Sequence, residues 1–193
     1  MKTIKGYKFI KSDMKSKNGN HTWELGKWYK HEGEIKMYEY GFHACKKPHE
    51  AMTFIYGDRF FMVEARGKII SSKEGDARFV SSKMRLVKEL PLKEISVKYA
   101  CASARMCLKN FQKQFPDDKR PEEAIQAAED YMNKKIDFKE LKEKLSAAES
   151  AESAVESAEW SAKSAARSTA WSARSAAESA LNKTFDKIVG EYL

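Results

Sequence analysis

The rhythm of polar and apolar positions changes once along the chain, near residue 95. Before that point apolar residues alternate with polar ones or run in short blocks, as strands require. KGYKFI (5–10) opens this part, and RFFMVEARGKII (59–70) and FVSSKMRLVKEL (79–90) are its strongest strand runs. Between them TWELGKWYKHEGEIKMYEYGFHA (22–44) sets Trp, Tyr and Ile around turn-forming glycines and reads as β-rich. Gly67 interrupts the run at 59–70, where a bulge or turn is expected. KKPHEAMTFIYG (46–57) predicts one helix, with Pro48 at its first position and Gly57 at its end. These elements make a small α+β domain ending near Leu92.

After residue 95 the period lengthens to that of a helix. ISVKYACASARMCLKNFQKQF (95–115) places Val97, Ala100, Cys101, Ala104, Cys107, Leu108 and Phe111 on one face. Pro116 with Asp117 and Asp118 stops that helix. Pro121, followed by Glu122 and Glu123, starts the next over PEEAIQAAEDYMNKK (121–135). Asp137 with Glu140 three residues on is a capping box that opens DFKELKEKL (137–145).

The last third carries a pattern of its own. Serine falls at 146, 150, 153, 157, 161, 164, 168, 172, 175 and 179, in steps of 4, 3 and 4 repeated three times. Eleven residues over three turns is about 3.67 per turn, close to a straight α-helix. Trp160 and Trp171 keep the same spacing of eleven. The pattern predicts a helix over about 138–189 with a small-residue stripe, whose packing surface would be Ser153, Ser157, Trp160, Ser164, Ser168, Trp171 and Ser175. Such a stripe lets another backbone approach closely, within the chain or in a second copy, so a homodimer through this helix is an expectation. Unbroken, the helix would run about 75–80 Å at about 1.5 Å per residue. A break near Asn182 or a projecting arm is therefore expected.

The expected fold class is thus α+β: a small basic β-rich domain over 1–95, then an all-α domain over 96–193 with the long Ser/Ala-striped helix. Charge supports the division. Residues 1–95 hold 20 Lys and Arg against 12 Asp and Glu, whereas residues 96–193 hold 16 of each, so the formal net charge of +8 lies in the first part. That asymmetry points to an acidic or polyanionic partner for the first domain. No run of 18 apolar residues predicts a membrane span, and the basic N-terminus lacks the apolar stretch of a secretory signal. Three cysteines without a CxxC spacing suggest a reducing, cytosolic setting.

Two resemblances cover most of the chain. GYKFI (6–10), HEGEIK (31–36), GFHAC (41–45), RFFMVEARGKI (59–69) and KELPLKEI (88–95) are similar to an uncharacterised domain family common in phages and prophages. YACASARMCLKNFQKQFPDDKRPEEAIQAAEDY (99–131) resembles a helical family of immunity-like proteins whose members carry an alanine-rich helix downstream. The resemblances imply provenance in conflict between phages and bacteria, and carry no catalytic residue across.

Candidate chemistry is sparse. His43, Cys45 and His49 form H-x-C-x3-H, ligand types zinc accepts, but no fourth ligand is evident, so packing is the expected role and no metal is assigned. Cys101 and Cys107 lie too far apart on a helix to pair or share an ion, and read as buried small hydrophobes. GFHACKKPHEAMTFIYG followed by a strand with Glu64 is similar in outline to small ADP-ribosyltransferase-like folds. That likeness implies His43, Tyr56 and Glu64 or Glu89 as the candidates. The strongest signal is the basic set Lys46, Lys47, Arg59, Arg66, Lys68, Lys83 and Arg85, interleaved with aromatics, the mixture that contacts phosphates and stacks bases.

The leading expectation is a non-enzymatic, phage- or prophage-encoded counter-defence inhibitor of anti-CRISPR type. It would engage a host defence protein or ribonucleoprotein complex in the host cytosol through its basic domain, with DNA or RNA as a candidate ligand. One alternative is a nucleotide-binding or ADP-ribosyltransferase-like protein, either an enzyme or a sponge for a signalling nucleotide. The other is a toxin-immunity protein or helical adaptor. Catalysis is left open, with the residues leaning against it, and no cofactor is expected.

Overall fold

The computed structural model describes residues 3–16, 21–53, 57–72, 77–146 and 170–193, with the side chains of residues 114 and 170–178 outside that description. Strand β1 (Ile4–Ile10) runs antiparallel to β4 (Arg59–Ser71), Ile4 facing Ala65 and Ile10 facing Arg59. β4 in turn pairs with β5 (Arg78–Leu90) from Phe60↔Leu90 to Ser71↔Phe79. On its other edge β5 holds β3 (Phe42–Cys45), from Phe42↔Ser81 to Cys45↔Arg78, and the two-residue β2 (Tyr29–Lys30) at Met84 and Lys83. Cys45 of β3 also meets Tyr7 of β1, so β1, β4, β5 and β3 close on themselves. Closure leaves few unpaired strand edges.

The long β4–β5 pairing is bent where the sequence broke its own pattern. The register shifts between Arg66 and Ile69, and Gly67 sits there at φ +82°. A side chain at Gly67 would strike the Ser82 hydroxyl, which accepts the Lys68 N–H at 3.0 Å. The bulge therefore needs glycine on both grounds, the positive φ and the close approach.

Inside the closed sheet Ile10, Trp23, Ala44, Phe61, Val63, Ala65, Phe79, Met84 and Leu86 form one buried cluster, with Ile4, Phe42 and Ile69 packed against it. Trp23 keeps its polar handle satisfied by donating from Nε1 to Ser16 Oγ at 2.8 Å. Opposite-parity residues form a second layer, in which Phe9 and Phe60 stack with centroids 4.5 Å apart.

The chain forms two compact units, Met1–Leu92 with Phe185–Leu193, and Lys93–Thr184. Helix α1 (Pro48–Met52) belongs to the first. So does the end of helix α5 (Ala170–Gly190), where Phe185, Ile188 and Val189 are buried. Asp186 secures this returning segment: its carboxylate accepts the His49 backbone N–H at 2.9 Å and lies 2.8 Å from His49 Nδ1. Lys88 Nζ also donates to the Tyr192 carbonyl.

The second unit is built on α2 (Leu92–Gln114), α3 (Arg120–Met132) and α4, whose described part covers 138–146. Asp137 Oδ1 accepts the Glu140 N–H at 2.9 Å, the N-cap bond that the capping box predicts. Arg105 of α2 reaches Glu129 of α3 through two hydrogen bonds, at 3.0 and 2.7 Å, and Lys144 of α4 reaches Glu123 at 2.7 Å.

An antiparallel sheet in the N-terminal part and helices in the C-terminal part make the protein mixed α+β. Several expectations change in detail. The stretch 22–44 is mostly irregular, with only β2 and β3 paired as strands, because its glycines and Tyr38 adopt positive φ. α1 is described only to Met52. Gly57 does not cap it but lies where the chain crosses β1, so that a Cβ there would strike the Ile10 carbonyl. Cys101 is buried, but Cys107 is exposed. Six residues at about 100° each carry Cys107 off the stripe that Cys101 shares with Leu108. α5 runs through Asn182 without a break, and Thr184 donates to the Ala180 carbonyl within it. Of the predicted helix over 138–189, residues 147–169 lie outside the described residues.

Candidate functional site

Two places in the first unit concentrate chemistry: an aromatic and cationic cluster around Trp28, and a cavity at Lys8. The first gathers part of the predicted basic set. In β4 and β5, alternation sends Glu64 and Arg66, and Lys83 and Arg85, to the same side of the sheet, with Arg85 facing Glu64 and Lys83 facing Arg66. The Arg66 guanidinium lies 4.6 Å from the centre of the Trp28 ring, and that of Arg85 lies 5.0 Å from it. Arg85 also donates to Glu64 Oε2 at 3.1 and 2.8 Å, and Arg66 Nε donates to Thr3 Oγ1 at 2.8 Å. Two arginines against one indole make a cation–π cluster partly neutralised by a carboxylate.

The other predicted cations are not gathered there. Arg59 forms a two-bond pair with Glu89 at 2.8 and 2.6 Å and sits over the Phe61 ring. Hydrogen bonding to Glu89 pushes the arginine up, and the same bonds hold the Glu89 carboxyl below the usual range. Lys46 and Lys47 are exposed between β3 and α1, where the Lys46 N–H donates to the Ala77 carbonyl. Lys68 is exposed beside the bulge. Lys46 lies at the Arg78 end of β5 and Arg59 at the Leu90 end. Of the helix stripe, Ser153, Ser157, Trp160, Ser164 and Ser168 lie outside the described residues. Trp171 and Ser175 are placed only as backbone of α5.

The cavity is the part the sequence reading missed. It measures about 360 Å³ and is lined by Lys8, Tyr38, Phe42, His43 and Arg78, among others. Lys8 Nζ donates to the His43 carbonyl at 2.9 Å and lies 5.9 Å from the Trp23 ring centre. Burial lowers the Lys8 pKa to about 8. His43 Nε2 accepts the Tyr38 N–H at 2.8 Å, and burial, then the Lys8 charge, lowers its pKa. An imidazole accepting at Nε2 is neutral, with its proton on Nδ1.

The described transferase-like candidates each have another engagement. Glu64 is tied to Arg85, Glu89 to Arg59 and His43 to Tyr38, while Tyr56 lies outside the described residues. The H-x-C-x3-H residues also have other engagements: His49 meets Asp186, and Cys45 is buried in β3. Trp28 and Arg78 could have been found as partners of the basic run, since both are near-neighbours of charges in the sequence. Lys8 could not, because a lysine inside a strand reads as its solvent side.

Residues 4–98 match the model of a domain of unknown function, DUF7666, and residues 89–179 match that of an Imm-5 like putative immunity protein. The second half resembles an immunity protein. The two matches follow the two-part layout of the chain, overlapping only across the end of β5 and the start of α2. No curated protein and no solved structure matches the chain. No helix among the described residues is long and apolar enough to cross a membrane.

Proposed function

We propose that the chain is a non-enzymatic binding protein of the toxin-immunity kind, which neutralises a protein toxin by forming a complex with it. The match of residues 89–179 to the immunity-like model carries this reading. It is supported by the carboxylates a transferase would need, which are engaged in arginine pairs. In this reading the part after residue 95 is an all-α recognition element. Its long Ser/Ala-striped helix over about 138–189 presents small residues to the partner or to a second copy. The test is co-expression of the full chain with a panel of bacterial toxin domains: nucleases, deaminases, ADP-ribosyltransferases and pore-formers. Rescue of growth from one of them, with a stoichiometric complex on gel filtration, is the expected result. Failure to rescue or bind any of them defeats the proposal.

The Trp28 cluster favours a second reading, a phage-encoded inhibitor that engages a nucleic-acid-handling host complex in the cytosol, of the anti-CRISPR kind. Arg66, Arg85 and Lys83 beside an indole suit phosphate contact with base stacking. Fluorescence anisotropy with single- and double-stranded DNA and RNA separates the two. Affinity that falls steeply with salt and is lost in Trp28→Ala supports the second reading, and no binding at physiological salt removes direct nucleic-acid contact from it.

A further inference from the structure

Strand β1 carries a lysine where its own pattern calls for an apolar residue. Ile4, Gly6, Lys8 and Ile10 share one parity, and Ile10 is fully buried in the inner cluster, which Ile4 also packs against. The Phe79 ring fills the space over Gly6. Lys8 is half-buried, and the ammonium end is the sheltered part, with one carbonyl acceptor and one indole nearby. An ammonium has three donors. Among the described residues no carboxylate pairs with it.

A sheltered charge without a counter-ion is costly. For stability alone, a methionine of similar length would serve this position better. The lysine instead borders a cavity. About 360 Å³ lies near the lower end of the range for small-molecule pockets, about 300–1,000 Å³. The walls combine flat apolar surface, Phe42 and Tyr38, with a second cation, Arg78, whose guanidinium is 4.6 Å from the Tyr38 ring centre. Among the described lining residues the one acidic side chain, Glu39, is paired with Lys36 at 2.6 Å. The wall therefore carries two cations, Lys8 and Arg78, and its described carboxylate is paired with Lys36.

We propose that this cavity is a binding site for a small aromatic phosphate, of nucleoside-monophosphate size, with its phosphate on Lys8 and Arg78 and its ring against Tyr38 and Phe42. The proposal uses residues of the first unit alone and stands whether or not the immunity reading does. A dianion matches two cations better than a monoanion does. A single ring system with one phosphate suits the volume, and a long nucleic-acid strand does not.

The test is isothermal titration of the full chain with adenosine monophosphate, guanosine monophosphate, inorganic phosphate and benzoate. At least one nucleotide should bind at least tenfold more tightly than phosphate or benzoate. Lys8→Met should remove at least tenfold of that affinity while the chain keeps its far-ultraviolet circular dichroism. Arg78→Gln should weaken it as well, as a check that does not alter β1. Lysine-resolved nuclear magnetic resonance gives a second readout: a bound phosphate should raise the Lys8 pKa from about 8. Benzoate binding as tightly as the nucleotides overturns the phosphate assignment. Absence of binding by all four probes, or unchanged affinity in a folded Lys8→Met, overturns the site.

Discussion

The two units are held together by different forces. The first buries large side chains, Trp23, Phe60, Phe61, Phe79, Met84 and Leu86, each at 2% exposure or less. Among the described residues the buried positions of α2, α3 and α4 are Ile95, Cys101, Leu108, Ala124, Ala127 and Leu141, and charged links cross between these helices. Burial of apolar area contributes about 25 cal/mol per Å², whereas an exposed ion pair contributes about 0–1 kcal/mol. The sheet unit therefore holds its shape by packing. The described part of the helical unit combines a thinner apolar seam with charge pairs, and its geometry should be the more easily altered by salt, pH or a partner.

The sharpest way to break this contrast is to cut a hole in each core. Phe79→Ala should cost about 3–5 kcal/mol, since the ring is fully buried and packs over Gly6. Leu108→Ala should cost about 2 kcal/mol, because a thin seam has less to lose and more room to collapse. Urea unfolding followed by tryptophan fluorescence and circular dichroism measures both, and equal losses would erase the distinction. Next in size is the Lys8 ammonium. Its folded pKa of about 8 lies below the ordinary 10.5, so between these values the unfolded chain binds more protons and stability should rise with pH. Subtracting the same curve for Lys8→Met should remove that rise, and parallel curves would contradict the sheltered charge.

Smaller effects are expected at the charge pairs. Asp186→Asn should lower stability by about 1 kcal/mol, the value of a partly exposed charge-assisted bond, and should increase proteolysis near residue 185. Arg59→Gln and Arg105→Gln should each cost less than about 1 kcal/mol. Glu89 and Glu129 are both held below the usual carboxylate value by hydrogen bonds from these arginines. The contribution of each pair is thus complete above that value and fades as pH falls through the lowered one. Acid unfolding of the two variants against the wild type measures it. An unchanged acid limb in both would show that neither pair contributes.

Much of this was legible in the sequence where local rules decide. Alternation located β1, β4 and β5, Gly67 marked the bulge, and Asp137 with Glu140 marked the start of α4. What depends on distant partners was not. Closure of the sheet through Tyr7 and Cys45, and the docking of Asp186 on His49, join residues 38 and 137 positions apart. No periodicity encodes such a pairing. The site divides in the same way. Charge counting marks Arg66, Lys83 and Arg85, and Trp28, itself beside Lys27 in the sequence, comes to them next to β2, which pairs with β5 at Met84 and Lys83. Lys8 was in phase with Ile4 and Ile10 all along. It was passed over because lysine on a strand is ordinarily the solvent face.

The return of Phe185–Leu193 to the first unit makes residues 93–184 an insertion, anchored at both ends in the same structure. The cost of closing a flexible insert grows only with the logarithm of its length, about 0.6 kcal/mol for each doubling. The sheet unit can therefore carry inserts of very different sizes with little change in its own stability. Eleven residues make about three turns of an α-helix, so a helical insert lengthened by that unit would keep the facing of everything downstream. The connectivity thus separates a frame from an insert, and the length of the insert can change without moving its two points of attachment.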